Sequence, residues 1–212
     1  MTSPRPVLVS DEMGRFARIG NRLALDFANT VHARRQNADA IQSAGDIFDF
    51  LQLCAVAPDR LLAGYRKASD TAAQADLVDR AIKLRMSLRA WLEAGRPCPG
   101  ARSPLIHEIN DILNESTSKV VLKQDGPHWV LDQVATSRSL LAALAPVARS
   151  AAELIVEGPN APIRKCGNPK CPMYFYDTSR TGKRRWCAME SCGNHAKVRS
   201  FLKRRDEKRA SL

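Results

Sequence analysis

Four of the chain's six cysteines share one short stretch, CGNPKCPMYFYDTSRTGKRRWCAMESCGNH, running from Cys166 to His195. Cys166 and Cys171 have four residues between them, Cys187 and Cys192 repeat that spacing, and 15 residues separate the pairs. A tight turn carrying two thiolates aims both sulfurs at one point, and two such turns complete the tetrahedron that zinc prefers. CGNPKC holds Gly, Asn and Pro, the residues of such a turn. Two disulfides, four reduced structural thiols or an iron–sulfur cluster are the competing readings, and a redox pair more often has two intervening residues than four. A hairpin-plus-helix module rich in positive charge favours zinc over iron–sulfur chemistry. Four protein ligands leave no coordination position for water or substrate, so the expected ion is structural. His195, three residues after Cys192, would be a fifth ligand and is expected on the following helix instead. Cys54, in an apolar helical stripe, and Cys98, in a Pro-flanked loop, have no local ligand partner and are read as having no functional role.

Charge gathers around these cysteines. Between Pro162 and Ala210 there are 14 Lys/Arg and 4 Asp/Glu, a net of +10 out of +11 for the 212-residue chain. Such asymmetry suits a polyanion, and nucleic acid is the commonest one. Lys197, Arg199, Lys203 and Arg204, on the helix expected after Cys192, are candidate DNA contacts, with Arg184 and Arg185 gripping backbone phosphates. Tyr174, Phe175 and Tyr176 would stack on single-stranded bases or form the module's own core. The alternatives are a zinc finger that docks on another protein and a basic face merely solvated.

The elements that must position these residues follow from periodicity. The first twenty residues read as an exposed lead-in, and GNRLALDFANTVHARR starts ordered structure, taken as helix. SAGDIFDFLQLCAVAPDRLLAGYRKA reads as two helices broken near Pro58, with Asp46 and Asp59 as caps. TAAQADLVDRAIKLRMSLRAWLEAG is a longer amphipathic helix ending at Gly95, and SPLIHEINDILNEST another, with Ser103 as cap and Pro104 in its first turn. SKVVLKQDGPHWVLDQV carries a β-hairpin signal across Asp125-Gly126. Helix then resumes, with Pro146 expected to kink or interrupt it. EGPNAP is the best linker. Beyond it, MYFYD and KRRWC read as strands joined by TSRTG, and Val198, Phe201 and Leu202 as a stripe on a basic helix. The fold class is therefore mainly α with a β-hairpin in an N-terminal domain, residues 1–158, followed by a small treble-clef-like zinc module, residues 159–212.

Asp26, Asn29 and Thr30 lie close together on one short stretch, where they either line a small-molecule effector pocket or hydrogen-bond the backbone as caps and buried ties. His32, His107 and Glu108 are candidate partners for them in such a pocket. No nucleophile–base spacing, phosphate-binding loop or open metal site is legible, so no enzyme is expected. The N-terminus has no secretory signal and no run approaches a membrane span, which leads to a cytoplasmic expectation without a membrane partner.

RRWCAMESCGNHAKVRSF resembles the end of CGNR zinc-finger proteins, whose usual run is similar to RRWCSMxxCGNRAKVxxF, and LALDFANTV resembles the start of the ABATE domain that accompanies it. The resemblance implies a bacterial, zinc-dependent, DNA-binding transcription regulator related to stress. Its N-terminal domain would sense a ligand or form a homodimer. The chain departs from the pattern at His195, where those proteins have Arg, and a permanent positive charge is thereby exchanged for a titratable one.

Overall fold

The computed structural model describes residues 9–10, 14–31, 39–57, 59–67, 70–100, 103–137 and 139–210. His32 and Pro58 lie outside them. Two compact units result, one of residues 39–159 and one that joins 1–38 to 160–212.

The unit of residues 39–159 is helical. Helix α2 (Ala44–Leu53) begins at Ser43, which accepts from the Asp46 N–H, while Asp46 reaches back to the Ser43 N–H at 2.9 Å. Asp46, expected as the cap, is thus the third helical residue of a capping box. Helix α3 spans Asp59–Lys67. Helix α4 (Thr71–Glu93) is capped by Asp70, which takes the Ala72 and Ala73 N–H groups at 2.9 and 3.1 Å. One of its faces is buried through Leu77, Ala81, Leu84, Leu88 and Leu92, the spacing of a stripe at 3.6 residues per turn. Arg85 falls in that stripe, buried, with a two-pronged pair to Asp39. Helix α5 (Pro104–Glu115) packs on α4 and on α6 (Ala145–Glu157). Pro146 interrupts the last apolar run as expected: residues 140–144 form a 3-10 turn, and Pro sits in the first turn of α6, where its missing N–H costs nothing. Between α5 and α6, strands β3 (Ser118–Asp125) and β4 (His128–Ala135) form the hairpin, with Leu122 opposite Leu131 and Gln124 opposite Trp129. The loop is Gly126-Pro127, one residue later than the sequence suggests, with Gly126 at φ 59°. That is the first loop position of a turn that demands positive φ.

The other unit starts with residues that read as an exposed lead-in. Strands β1 (Val9–Ser10) and β2 (Ala17–Arg18) pair antiparallel, and Phe16 and Ile19 are buried. Helix α1 (Leu23–Ala28) follows and passes into a 3-10 turn at residues 29–31. From the C-terminal end come β5 (Ile163–Lys165), β6 (Tyr174–Tyr176) and helix α7 (Asn194–Ala210), which a π-helical turn of residues 189–193 introduces. The hairpin of this module pairs β5 with β6, Lys165 opposite Tyr174. KRRWC is not its second strand: the segment runs as an irregular loop, and the first cysteine turn occupies the hairpin's connection instead. Hairpin plus helix around four cysteines is the treble-clef-like arrangement expected.

Candidate metal centre and its cationic surroundings

The first turn is made by backbone hydrogen bonds. Cys166 N–H donates to Met173 O at 2.9 Å, and Cys171 N–H to Asn168 O at 2.8 Å. The second pair is brought over it by Gly167 N–H, which donates to Arg185 O at 2.8 Å, and by Cys187 N–H, directed at Cys166 Sγ at 3.5 Å. Asn168 donates its side-chain N–H to Cys192 Sγ at 3.4 Å. Ile19, Met173, Phe175 and Ala188 enclose the sulfurs. Gly193, next to Cys192, lies against the Met189 side chain, whose Sδ a Cβ there would displace. The π-helical turn of residues 189–193 sets Cys192 at the head of α7.

All four Sγ atoms lie within 4.8 Å of one another, and Cys171 and Cys187 are 3.7 Å apart. A zinc–sulfur bond of ~2.3 Å makes the edge of a tetrahedron about 3.8 Å, so the donor set fits zinc. Hydrogen bonds from Cys171 and Cys187 pull the Cys166 thiol down to about 2. The same bonds push Cys171 up to about 12 and Cys187 higher still. Zinc binds thiolates, so a divalent ion at this point would displace the thiol protons. His195 is exposed and stands outside the sulfur cluster, beside Asn168, Lys170, Val198 and Arg199 at a cleft of about 370 Å³.

Six cations were expected at the nucleic acid, and the structure separates them. Lys197, Arg199, Lys203, Arg204 and Arg185 are exposed. At 3.6 residues per turn Lys197 and Arg204 flank one side of the Val198–Phe201–Leu202 stripe, and Arg199 and Lys203 the other. Arg199 donates to Asn168 Oδ1 at 3.2 Å, which links α7 to the first cysteine turn. Arg184 turns inward. It donates through Nε to Trp186 O at 2.9 Å and through Nη2 to Ile19 O at 3.2 Å and to Cys187 O, with its guanidinium 4.2 Å over the Phe175 ring. Burial lowers its pKa against the pull of the nearby Cys187 and Asp177. Arg184 thus braces the centre from within. Tyr174 and Phe175 are buried core residues, and Tyr176 carries Arg22 4.1 Å above its ring.

Asp26, Asn29 and Thr30 belong to this same unit and serve its backbone. Asp26 accepts from Ile19 N–H and Gly20 N–H at 2.8 and 2.7 Å. Burial raises its carboxyl to about 6, the two amide donors opposing. Gly20 is required at that approach, since a Cβ would meet Asp26 N and Leu25 Cβ at 2.8 Å. Asn29 pairs with Tyr174 in both directions, Nδ2 to O at 2.8 Å and Oδ1 from N–H at 2.9 Å, and Thr30 Oγ1 donates to Phe27 O at 2.7 Å. His107 and Glu108 lie on α5, paired with Asp111 and Arg80.

Asp177 is the residue that sequence reasoning missed. Its buried carboxylate accepts from Ser179 N–H and Oγ–H at 3.0 and 2.6 Å, from Arg184 N–H at 3.0 Å and from Arg164 Nε at 3.0 Å. Burial opposes its charge, but these donors and Arg164 outweigh it and hold the carboxyl below its ordinary value. The only signal was D-x-S after a strand, a common local turn.

Residues 163–205 match the CGNR zinc finger, and residues 21–158 match the family described as putative stress-induced transcription regulator, ABATE. The second match alone covers more than half of the chain. The chain belongs to the ABATE family. Its CGNR module supplies all four sulfurs of the cluster. No curated protein matches the chain. Among the described residues no helix is long and apolar enough to cross a membrane.

Proposed function

We propose that the chain is a transcription regulator that binds DNA through its CGNR module, with a structural zinc ion on Cys166, Cys171, Cys187 and Cys192. One observation carries this reading: five exposed cations, Arg185, Lys197, Arg199, Lys203 and Arg204, lie on the module of the four-sulfur cluster, four of them on the helix that follows Cys192. A helix about 10–12 Å across fits the major groove, where Val198 and Phe201 would meet thymine methyl groups and the flanking cations the phosphates. The metal has no open position and takes part in no reaction. The regulatory half would take a small-molecule effector, for which the open cleft of about 610 Å³ between α5 and α6, lined by Leu113, Ser116, Arg149, Ala152 and Val156, is the better-supported place. Asp26, Asn29 and Thr30 already spend their polar groups on the backbone.

The test is a fluorescence-anisotropy titration of duplex DNA at several salt concentrations. Four to five phosphate contacts give log affinity falling with log salt at a slope of about −4. No binding at low salt would overturn the reading. A salt-independent partner would support the second one, a protein-docking adaptor, which the exposed Val198, Phe201 and Leu202 on α7 favour.

A further inference from the structure

The β3–β4 hairpin leaves an apolar face uncovered. Side chains alternate along a strand, so Val120, Leu122 and Gln124 share one face with Trp129 and Leu131 across the register. Val120, Leu122, Trp129 and Leu131 are 64, 63, 66 and 76% exposed. None of these five residues carries a charge. Lys119, Lys123, Asp125 and His128 lie on the other face, where Val121 and Val130 are half-buried. An antiparallel sheet with one solvated face places its polar residues on that face. Here Lys119, Lys123, Asp125 and His128 are exposed as expected, but the apolar face is exposed as well, with nothing covering it among the described residues.

We infer that this face is the dimer interface, occupied by the same face of a second copy. Three observations choose that occupant. The face offers no cation to a polyanion and no charge to a charged peptide, so a neutral apolar surface is its complement, and it supplies one itself. Residues 39–159, which carry the hairpin, hold 13 Lys/Arg and 15 Asp/Glu, a net of −2, so two of these units approach without the repulsion that the rest of the chain, at +13, would impose. The area is sufficient. One Trp and three aliphatic side chains about two-thirds exposed amount to roughly 500 Å² per copy, or about 1,000 Å² for an isologous pair, the lower end of a specific interface. Leu122 and Leu131, directly opposed at mid-hairpin, would sit nearest the twofold axis. The inference does not depend on DNA binding.

The experiment is sedimentation equilibrium of the full-length, zinc-loaded chain from 1 to 100 µM. Wild type is expected at about twice the 23.4 kDa chain mass. Leu131→Lys, which sets like charges against each other across the axis, is expected to weaken the dimer at least 100-fold. Lys119→Ala, on the opposite face, is expected to leave it unchanged. Circular dichroism checks the fold of each variant, and Val120→Thr, which keeps strand propensity, serves if Leu131→Lys does not fold; it is expected to weaken association about tenfold. Wild type that stays monomeric at 100 µM would overturn the inference, as would folded Leu131→Lys or Val120→Thr that dimerises like wild type, or dissociation by Lys119→Ala.

Discussion

The two units reach stability by different physics. Residues 39–159 bury long apolar stripes, with Ile47, Leu51, Leu77, Leu84, Leu88, Ile112, Leu144 and Leu154 all at or near zero exposure, and their net charge is −2. The other unit buries Phe16, Leu25, Phe27 and Phe175 but builds one of its clusters around four sulfurs, and it bears a net +13. It adds directed bonds: thiolates aimed at one point, Asp26 on two amides, Asn29 paired with Tyr174, Asp177 holding four donors. Hydrophobic burial tolerates the loss of one partner better than a small directed network does, since the network leaves uncompensated polar groups behind.

That contrast can be broken most severely at the metal. Cys187→Ala should abolish stoichiometric zinc and the order of residues 163–193, because the apparent binding energy of such ions is ~10–16 kcal/mol. Far-ultraviolet circular dichroism should still report the helices of residues 39–159, and limited proteolysis should cut only in the metal unit. Asp177→Ala comes next. It removes the acceptor of the Arg184 N–H and of both Ser179 donors, so a loss of about 2–4 kcal/mol is expected by denaturant titration of that unit. Asn29→Ala should cost about 2–3 kcal/mol through two buried hydrogen bonds. By sequence Asn29 belongs to the 21–158 match, yet in the structure it supports β6. Loss of stability in the helical unit rather than the metal unit would contradict that assignment.

The smallest expected effect is electrostatic. The carboxyl of Asp26 is raised to about 6 in the fold, above the ordinary ~4 of the unfolded chain. Its contribution is complete below about pH 4 and is lost as pH rises through 6, the folded state then having to carry a buried charge. Asp26→Asn removes this titration. Its stability relative to wild type should improve by roughly 1 kcal/mol between pH 5 and 7.5, read as the difference in denaturation midpoints. An unchanged difference across that window would place the carboxyl's titration elsewhere.

The sulfur cluster, the amphipathic helices and the β3–β4 hairpin were legible in the sequence, because spacing and periodicity encode them locally. The elements that escaped depend on distant partners. Asn29 meets Tyr174 from 145 residues away, and nothing near LALDFANTV names that partner. Three-residue strands carry no period, so Ile163–Lys165 was invisible beside the more strand-like KRRWC. Arg184 and Arg185 are identical letters, and only the acceptors Trp186 O, Cys187 O and Ile19 O decide which turns inward. Asp46 reads as the N-cap, yet a capping box presents two candidates and the backbone selects Ser43, three residues earlier.

Hydrogen exchange followed by mass spectrometry on reduced protein, with and without its metal, tests the central claim most directly. With one zinc per chain, peptides spanning residues 14–31 and 163–193 should be protected; after chelation both should lose protection together while α4 keeps its own. Undiminished protection of residues 163–193 in metal-free, reduced protein would contradict the account.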